Sequence, residues 1–235
     1  MKQLSLAALA LLPAFSALAN PNEVTLPRYG GYGSGSEDID RVCVFTNIVP
    51  LYSIMPQKAG DIKATGGGLG VQLELGVKVP FKMTRGYGGG GSTFLSFSLG
   101  YQLASIKTKY TDALGNEQNI NTHVERVVLP IAIGGFQGNG RARFYWQGGV
   151  AIGYTSGTAS EEGSLVKSFN PVSFTPFVSL GVSGDGQIKH GPLEGRNAKG
   201  MVGPFLSYTL GNLSSASNTT VGNYVIGIQF TTVFL

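Results

Sequence analysis

The 235-residue chain has little charge, only two histidines and a single cysteine. Charged residues make up 13% of the sequence, whereas an ordinary water-soluble domain carries about 25%, so a densely charged exterior is not expected. Cys43 has no second cysteine to bond, which excludes an intramolecular disulfide, and we interpret it as structural. The formal net charge of +4 is too small and too scattered to indicate nucleic-acid binding.

Long apolar runs are also missing beyond the N-terminus, where no segment approaches the roughly 20 apolar residues of a spanning helix. The one apolar run, residues 4–12, follows Lys2 and precedes Ala17-Leu18-Ala19. This pattern predicts a cleavable export signal peptide over residues 1–19, with cleavage after Ala19. Residues 20–40 are rich in Gly, Ser and Pro without periodicity, and they predict a flexible periplasmic lead-in.

The rest of the chain, residues 41–235, consists of alternating stretches. In 69–81 the bulky apolar residues occupy the odd positions and mostly Gly, Gln, Glu and Lys occupy the even ones, which predicts a strand with two different faces. Residues 41–54 alternate poorly and contain Pro50, and we assign them a strand because a bacterial barrel normally has an even strand number. The other predicted strands are 93–107, 123–136, 141–155, 171–183, 200–210 and 221–235.

These eight strands predict an all-β fold, an eight-stranded antiparallel up-and-down transmembrane β-barrel. Clusters containing Gly and Asn separate the strands and are typical of chain reversals. With both ends of the barrel in the periplasm, outer loops are expected near 55–66, 109–120, 156–170 and 211–220. Inner turns are expected near 82–92, 137–141 and 184–199.

The chemistry of the second face decides which set of side chains points outward. It is mainly Gly, Ser, Ala and Gln, which suits the crowded inside of a narrow barrel, whereas the bulky set would overfill that interior. The bulky set is therefore expected to face lipid. A soluble, lipocalin-like ligand-binding barrel, with the bulky set inside, is the less favoured alternative. The expected interfacial aromatic residues are Tyr101, Trp146, Tyr154, Tyr208, Tyr224 and Phe234.

Three short motifs resemble a known family. Residues 124–133 (VERVVLPIAI), 143–149 (RFYWQGG) and 208–213 (YTLGNL) are similar to strands of the Bacteroidetes-type outer-membrane β-barrel family, which includes PorT-like proteins with an OmpA/OmpX-like barrel. The resemblance covers about residues 41–235. It implies location in the cell outer membrane but no single activity, because function differs widely among members. The specific role we favour is a PorT-like one in envelope biogenesis or secretion, exercised through periplasmic or secretion-system protein partners. Phe234 is the penultimate residue, whereas such barrels commonly end on an aromatic that the barrel-assembly machinery reads.

Charged and amide side chains on the inward set predict a network in the lumen. An unpaired charge in a narrow lumen is costly, so Glu74 is expected to bond at least one basic group, with Gln102, Gln229 or Tyr145 filling gaps. We interpret the network as a structural plug; an ion or proton path, as in a small channel, is the alternative. Its members are Glu74, Lys78, Arg126, Arg143 and Gln147.

No pattern indicates catalysis or cofactor binding. His123 shares a strand face with Glu125, and Ser105 and Thr122 are candidate neighbours, but no recognised spacing supports a catalytic triad. A lipid-modifying enzyme is therefore not favoured. Neither a metal-ligand cluster nor a phosphate-binding loop is present in the sequence, so no cofactor is predicted. The expected partners are outer-membrane lipid, including lipopolysaccharide, and the barrel-assembly machinery.

Overall fold

A computed structural model of the chain describes residues 39, 41–86, 89–112, 114–138, 142–160, 169–188 and 197–235. The predicted signal peptide (1–19) and nearly all of the lead-in (20–40) lie outside the described residues and stay predictions. Within the described ranges, no helix is both long enough and apolar enough to cross a membrane.

The described chain is all-β, and its long strands form a closed ring. Each strand pairs antiparallel with its neighbours, in the order β2-β3-β4-β5-β6-β7-β9-β1, and β1 also pairs with β2. The short strand β8 pairs only with the end of β1. The eight-stranded antiparallel fold is therefore confirmed. The strands are β1 Cys43–Ala59, β2 Ile62–Gly86, β3 Gly89–Thr111, β4 Glu117–Gly138, β5 Ala142–Ser160, β6 Val172–Gln187, β7 Asn197–Tyr208, β8 Thr219–Val221 and β9 Tyr224–Phe234.

The strands run further than the alternation pattern indicated, so several predicted loops are wrong. The loop expected at 55–66 is only a turn at Gly60 and Asp61, and Gly60 has a φ of +58° that suits glycine. The predicted turn at 184–199 is shortened because β6 continues to Gln187 and β7 begins at Asn197. These extensions contain Gly and polar residues that look turn-like in sequence, yet their backbone groups continue the hydrogen-bonded ladder.

Strand β1 is the element that the sequence indicated least clearly. Its burial alternates along its whole length, but the inward set includes apolar Phe45, Val49, Leu51 and Met55, so both faces contain apolar residues and the sequence pattern is blurred. Pro50 lies on the outward face, and the pairing of β1 with β9 skips Val49 and Pro50. Proline has no N–H to donate to a ladder, which accounts for the gap.

The strands are staggered around the ring. Tyr52 of β1 pairs directly with Leu69 of β2. The path can also be traced the other way round the ring from Tyr52, taking the cross-strand partner on each strand in turn. It then reaches β2 at Val79, which is ten residues from Leu69. A stagger of this kind forces the strands to tilt against the barrel axis, and an eight-stranded barrel is just wide enough for side chains to fill it.

The bulky apolar side chains lie on the outside, as the sequence predicted. Leu73, Phe97 and Ile228 are 50%, 43% and 50% exposed. The residues between them on each strand point inward and are mostly buried, including Glu74, Ser96 and Gln229. An arrangement with the bulky set around a central ligand cavity, as in a lipocalin, is therefore contradicted.

Glycines allow neighbouring strands and inward side chains to approach closely. A Cβ atom on Gly149 would lie 2.1 Å from the carbonyl oxygen of Ile131, and one on Gly203 would lie 1.8 Å from that of Leu180. These positions have no room for a side chain. Gly148 is different, because the nearest atom to an added Cβ would be the carbonyl oxygen of Phe177, at 3.7 Å.

Gly149→Ala is expected to lower the free energy of unfolding by about 1–3 kcal/mol, because the methyl group must push strand β4 away. Gly148→Ala, one residue earlier, is the matched control and should be neutral or stabilising by up to about 1 kcal/mol, since Ala is less costly than Gly within a strand. Denaturant titration of the refolded protein measures both. Equal effects of the two substitutions would contradict the close approach of β4 and β5.

Candidate functional site

The side chains predicted for the lumen network are buried inside the barrel, and neutral groups bond Glu74. Its carboxylate accepts hydrogen bonds from Asn47 Nδ2 at 2.8 Å, from Ser98 Oγ at 3.1 Å and from Gln72 Nε2. Among the described contacts, no ion pair joins Glu74 to Lys78 or to Arg126. The bond expected between Glu74 and a basic group is not formed by these two residues. The Glu74 carboxylate instead accepts hydrogen bonds from amide and hydroxyl groups of β1, β2 and β3.

Lys78 lies fully buried among aromatic rings. Its Nζ atom is 4.4 Å from the ring centroid of Phe45, 4.1 Å from that of Phe94 and 5.8 Å from that of Tyr145. It also donates a hydrogen bond to Gln147 Oε1 at 3.1 Å, and the hydroxyl of Tyr145 donates to the same oxygen. Ring faces stabilise a desolvated cation by about 2 kcal/mol or more. Among the described contacts, the Lys78 ammonium group is held by rings and an amide oxygen, with no carboxylate in direct contact.

Arg126 lies further toward the other end of the lumen and is bonded by neutral groups. Its Nη2 donates to Ser173 Oγ at 2.6 Å and to Thr175 Oγ1 at 3.1 Å. Its Nη1 lies 3.4 Å from Gln102 Oε1, a long hydrogen bond. Of the other side chains predicted in the lumen, Arg143 is buried near the start of β5. Gln229 Nε2 donates a hydrogen bond to Thr231 Oγ1 at 2.9 Å.

One ion pair, at the end of the barrel where β6 and β7 meet, is not predicted from the sequence. Lys199 of β7 is buried and its Nζ lies 2.6 Å from Asp185 Oδ1 of β6, and the two residues are direct cross-strand partners. The same Nζ lies 5.1 Å from the ring centroid of Phe136. Both residues fall inside the predicted turn at 184–199, so they were not assigned to a strand face. Asp185 and Lys199 have opposite charges and lie near opposite ends of that segment. Such a pair indicates a hairpin whose two strands extend into the segment.

Little space is left between these side chains. A cavity of about 10 Å³ lies between Glu74, Gln102, Arg126, Phe177 and Phe205. That is room for about one water molecule. Apolar clusters fill the lumen on both sides of it, one around Phe94 and Phe136 and another around Met55 and Ile106.

Residues 209–223, which we call the mouth segment, fill the lumen at the end opposite the chain terminus. Leu213 and Val221 are buried against Met55, Ile106 and Val124. Hydrogen bonds hold the segment in place: Asn170 Nδ2 donates to the carbonyl oxygens of Asn212 and Ser214, and β8 pairs with β1. The predicted outer loop at 211–220 is therefore an ordered element that covers the barrel mouth.

Outward tyrosines form a girdle on the same side as the mouth segment. Tyr208 and Tyr224 are cross-strand partners with stacked rings whose centroids are 4.6 Å apart. Tyr101 and Tyr154 both pair with Val127. Tyr52 completes the girdle, because it pairs with Ile226, two residues from Tyr224 on the same face. Together with Phe81, Phe144 and Phe234 near the opposite strand ends, the girdle bounds the apolar belt.

The residues weighed for catalysis do not form a site. Ser105 and His123 are cross-strand partners, but no hydrogen bond joins them among the described contacts, and Thr122 points inward and is buried. Glu125 accepts a hydrogen bond from the Tyr101 hydroxyl at 2.9 Å. The described residues contain no group of three His, Cys, Asp or Glu side chains that could hold a metal ion.

Comparisons with known proteins give remote likenesses only. No protein-family model matches the sequence, and no curated protein matches it. Three solved structures that resemble this fold are the outer-membrane protease OmpT from Escherichia coli, the outer-membrane protein OprG from Pseudomonas aeruginosa and Neisserial surface protein A. OmpT has 9% identity and a TM-score of 0.43, covering 86% of this chain and 99% of its own.

OprG has 14% identity and a TM-score of 0.40, over 83% of this chain and 97% of its own. Neisserial surface protein A has 14% identity and a TM-score of 0.36, over 79% of this chain and 95% of its own. At these scores the fold assignment rests on the strand pairings of this chain alone. The Bacteroidetes-type, PorT-like resemblance stays a prediction.

Glu74→Leu is expected to lower the free energy of unfolding by about 2–5 kcal/mol, because two buried donors and the partly buried Ser98 hydroxyl lose their acceptor. Glu74→Gln keeps one acceptor oxygen and should lose less. Glu117→Leu, on the exposed end of β4, is the control and should stay within about 0.5 kcal/mol of the parent. Denaturant titration in lipid vesicles measures all three, and an unchanged stability of Glu74→Leu would refute the network described above.

Proposed function

We propose that this chain is an integral outer-membrane β-barrel protein with a closed lumen, and that it acts through its outer surface and its covered mouth. The observation that carries the proposal is the distribution of side chains between the two faces. Apolar residues such as Leu73, Ile131 and Ile228 are about half exposed all round the ring, while charged groups such as Lys78 and Arg126 are buried inside.

Such a surface is suited to hydrocarbon rather than water. Soluble proteins rarely expose continuous apolar patches beyond a few hundred Å². In a bilayer the same belt meets its preferred solvent, and the closed ring leaves no unpaired strand edge in the hydrocarbon. The tyrosine girdle and the aromatic residues at the opposite strand ends fit the two membrane interfaces.

The connections between strands support one orientation of the barrel. Outer-membrane barrels have short periplasmic turns and longer extracellular loops. Two residues separate β2 from β3 and three separate β4 from β5; these strand ends are on the side where β1 begins and β9 ends, which we assign to the periplasm. The mouth segment lies on the other side, where β5 ends at Ser160, and we assign that side to the exterior.

Within this class, we propose the role in envelope biogenesis or secretion that the resemblance to PorT-like proteins implies. Its support is the similarity of residues 124–133, 143–149 and 208–213 to that family. A filled lumen is consistent with a protein that works by contacting partners. It disfavours a small porin-like channel.

The membrane location predicts that the folded protein stays in carbonate-washed membranes and migrates faster on a gel before boiling than after it. Ile228→Arg, in the middle of the belt, should lose about 2–4 kcal/mol of stability in vesicles, and Ser217→Arg in the mouth segment about 0–1 kcal/mol. Release of the folded protein by carbonate, or equal costs for the two substitutions, would contradict an integral barrel.

The closed lumen predicts that the purified protein adds no conductance steps above leak in a planar bilayer. The reason is that the free space between Glu74 and Arg126 holds about one water molecule. A known open porin recorded in the same bilayers is the positive control. Stable open channels from this protein would show that the plug interpretation is wrong.

A further inference from the structure

Four lysines lie together on the outer surface beyond the tyrosine girdle, and we call them the basic patch. They are Lys58 on β1, Lys63 on β2, and Lys107 and Lys109 on β3. All four are exposed, and each has the strand parity of the outward apolar set below it. Arg41, before β1, is the only other Lys or Arg that is exposed among the side chains that the structure describes.

The strand register brings the four side chains to one place. Lys58 and Lys63 are direct cross-strand partners. Lys109 pairs with Thr65 and Lys107 pairs with Gly67, so both stand beside the outer face of β2 next to Lys63. Like charges in such positions repel each other and cost stability. The patch therefore gains stability from a bound anion.

The described carboxylates near the patch form no ion pair with its lysines. On the neighbouring strand β4, Glu117 pairs with Thr111, and Glu125 pairs with Leu103 and accepts a hydrogen bond from Tyr101. Among the described contacts, none of the four ammonium groups forms an ion pair or a hydrogen bond. Asp112, in the turn after β3, accepts hydrogen bonds from Leu114 N and Asn116 N at 2.9 and 2.8 Å and from the side chain of Gln118 at 3.1 Å. These bonds hold its carboxylate in its own turn. Asp61 lies at the exposed tip of the β1–β2 turn.

The patch lies beyond the tyrosine girdle, on the side away from the apolar belt. Lys58 lies six residues beyond Tyr52, and Lys107 lies six residues beyond Tyr101. Six residues span about 20 Å of strand, which is about 15 Å along the axis of a barrel with strands tilted near 40°. Lysine stems are flexible and can reach back toward the belt. Tyr52 adds a hydroxyl group, which lies over Gly67.

We infer that the basic patch binds the phosphate groups of an anionic glycolipid of the outer leaflet, the lipopolysaccharide class, whose acyl chains lie along the apolar belt. The inference rests on the proposed membrane location and orientation. A phosphorylated glycolipid contacts both surfaces at once, because the flexible lysine stems can reach back toward its phosphates while its hydrocarbon contacts the residues below. Ammonium groups and phosphates form charge-assisted hydrogen bonds.

The experiment measures how much lipid A stays on the full chain, purified in neutral-detergent micelles, by native mass spectrometry. Bisphosphorylated lipid A is expected to bind at least about 10-fold tighter than the dephosphorylated lipid, with an affinity that falls as salt is raised. The quadruple variant K58Q/K63Q/K107Q/K109Q should lose this preference, and the corresponding Lys→Arg variant should keep it. Lys107→Gln should weaken binding more than Arg41→Gln, which removes the same charge at the opposite end.

Two outcomes would overturn the inference. One is equal retention of lipid A by the parent and the quadruple variant. The other is full competition by millimolar inorganic phosphate, which would mean that the patch recognises free phosphate and not a lipid headgroup. Each variant is first tested for heat-modifiable migration and retention in washed membranes. If the parent protein fails that test, the proposed function is wrong. If the parent is integrated in the membrane but shows no preference for phosphorylated lipid A, only the assignment of the basic patch as a lipid site is wrong.

Discussion

The hydrogen bonds that close β1 onto both β2 and β9 are the constraint on which the rest of the structure depends. They convert an open sheet into a ring, so no long strand has a free edge. Closure fixes the inside and outside of every strand, because side chains alternate with a period of two. The pairing of β1 with β9 is interrupted at Pro50, but the pairing of β1 with β2 continues there without a gap. Strand β2 therefore holds β1 in the barrel wall at this point.

The interior shows how a narrow barrel can bury charge with few ion pairs. Lys78 is surrounded by rings and one amide oxygen, Arg126 by hydroxyl groups, and Glu74 by amides and a hydroxyl. Neutral partners suffice because each charged group is held by several of them and because strands from opposite sides of the ring are close together. A lumen filled in this way is stiff, which directs attention to the outer surface and the mouth as the parts that meet other molecules.

Much of this architecture could be predicted from the sequence, and the exceptions have physical reasons. Strand β2 was clear because its two faces differ sharply, whereas β1 was obscure because apolar residues such as Phe45 and Val49 also point inward. The alternating pattern predicts shorter strands than the structure has, because the polar strand ends outside the apolar belt do not alternate. The lumen residues were identified from parity alone. Their hydrogen-bond partners could not be predicted. Asn47 contacts Glu74 because the register of β1 against β2 makes them direct partners, and the sequence does not give that register.

The mouth segment has a consequence for how the barrel stays closed. It follows β7 in the chain, yet it packs against Met55 of β1, Ile106 of β3 and Val124 of β4. The same segment leads directly into β9, and its strand β8 pairs with β1, which is also the partner of β9. A displacement of this cover would therefore pull on the junction where the first and last strands meet.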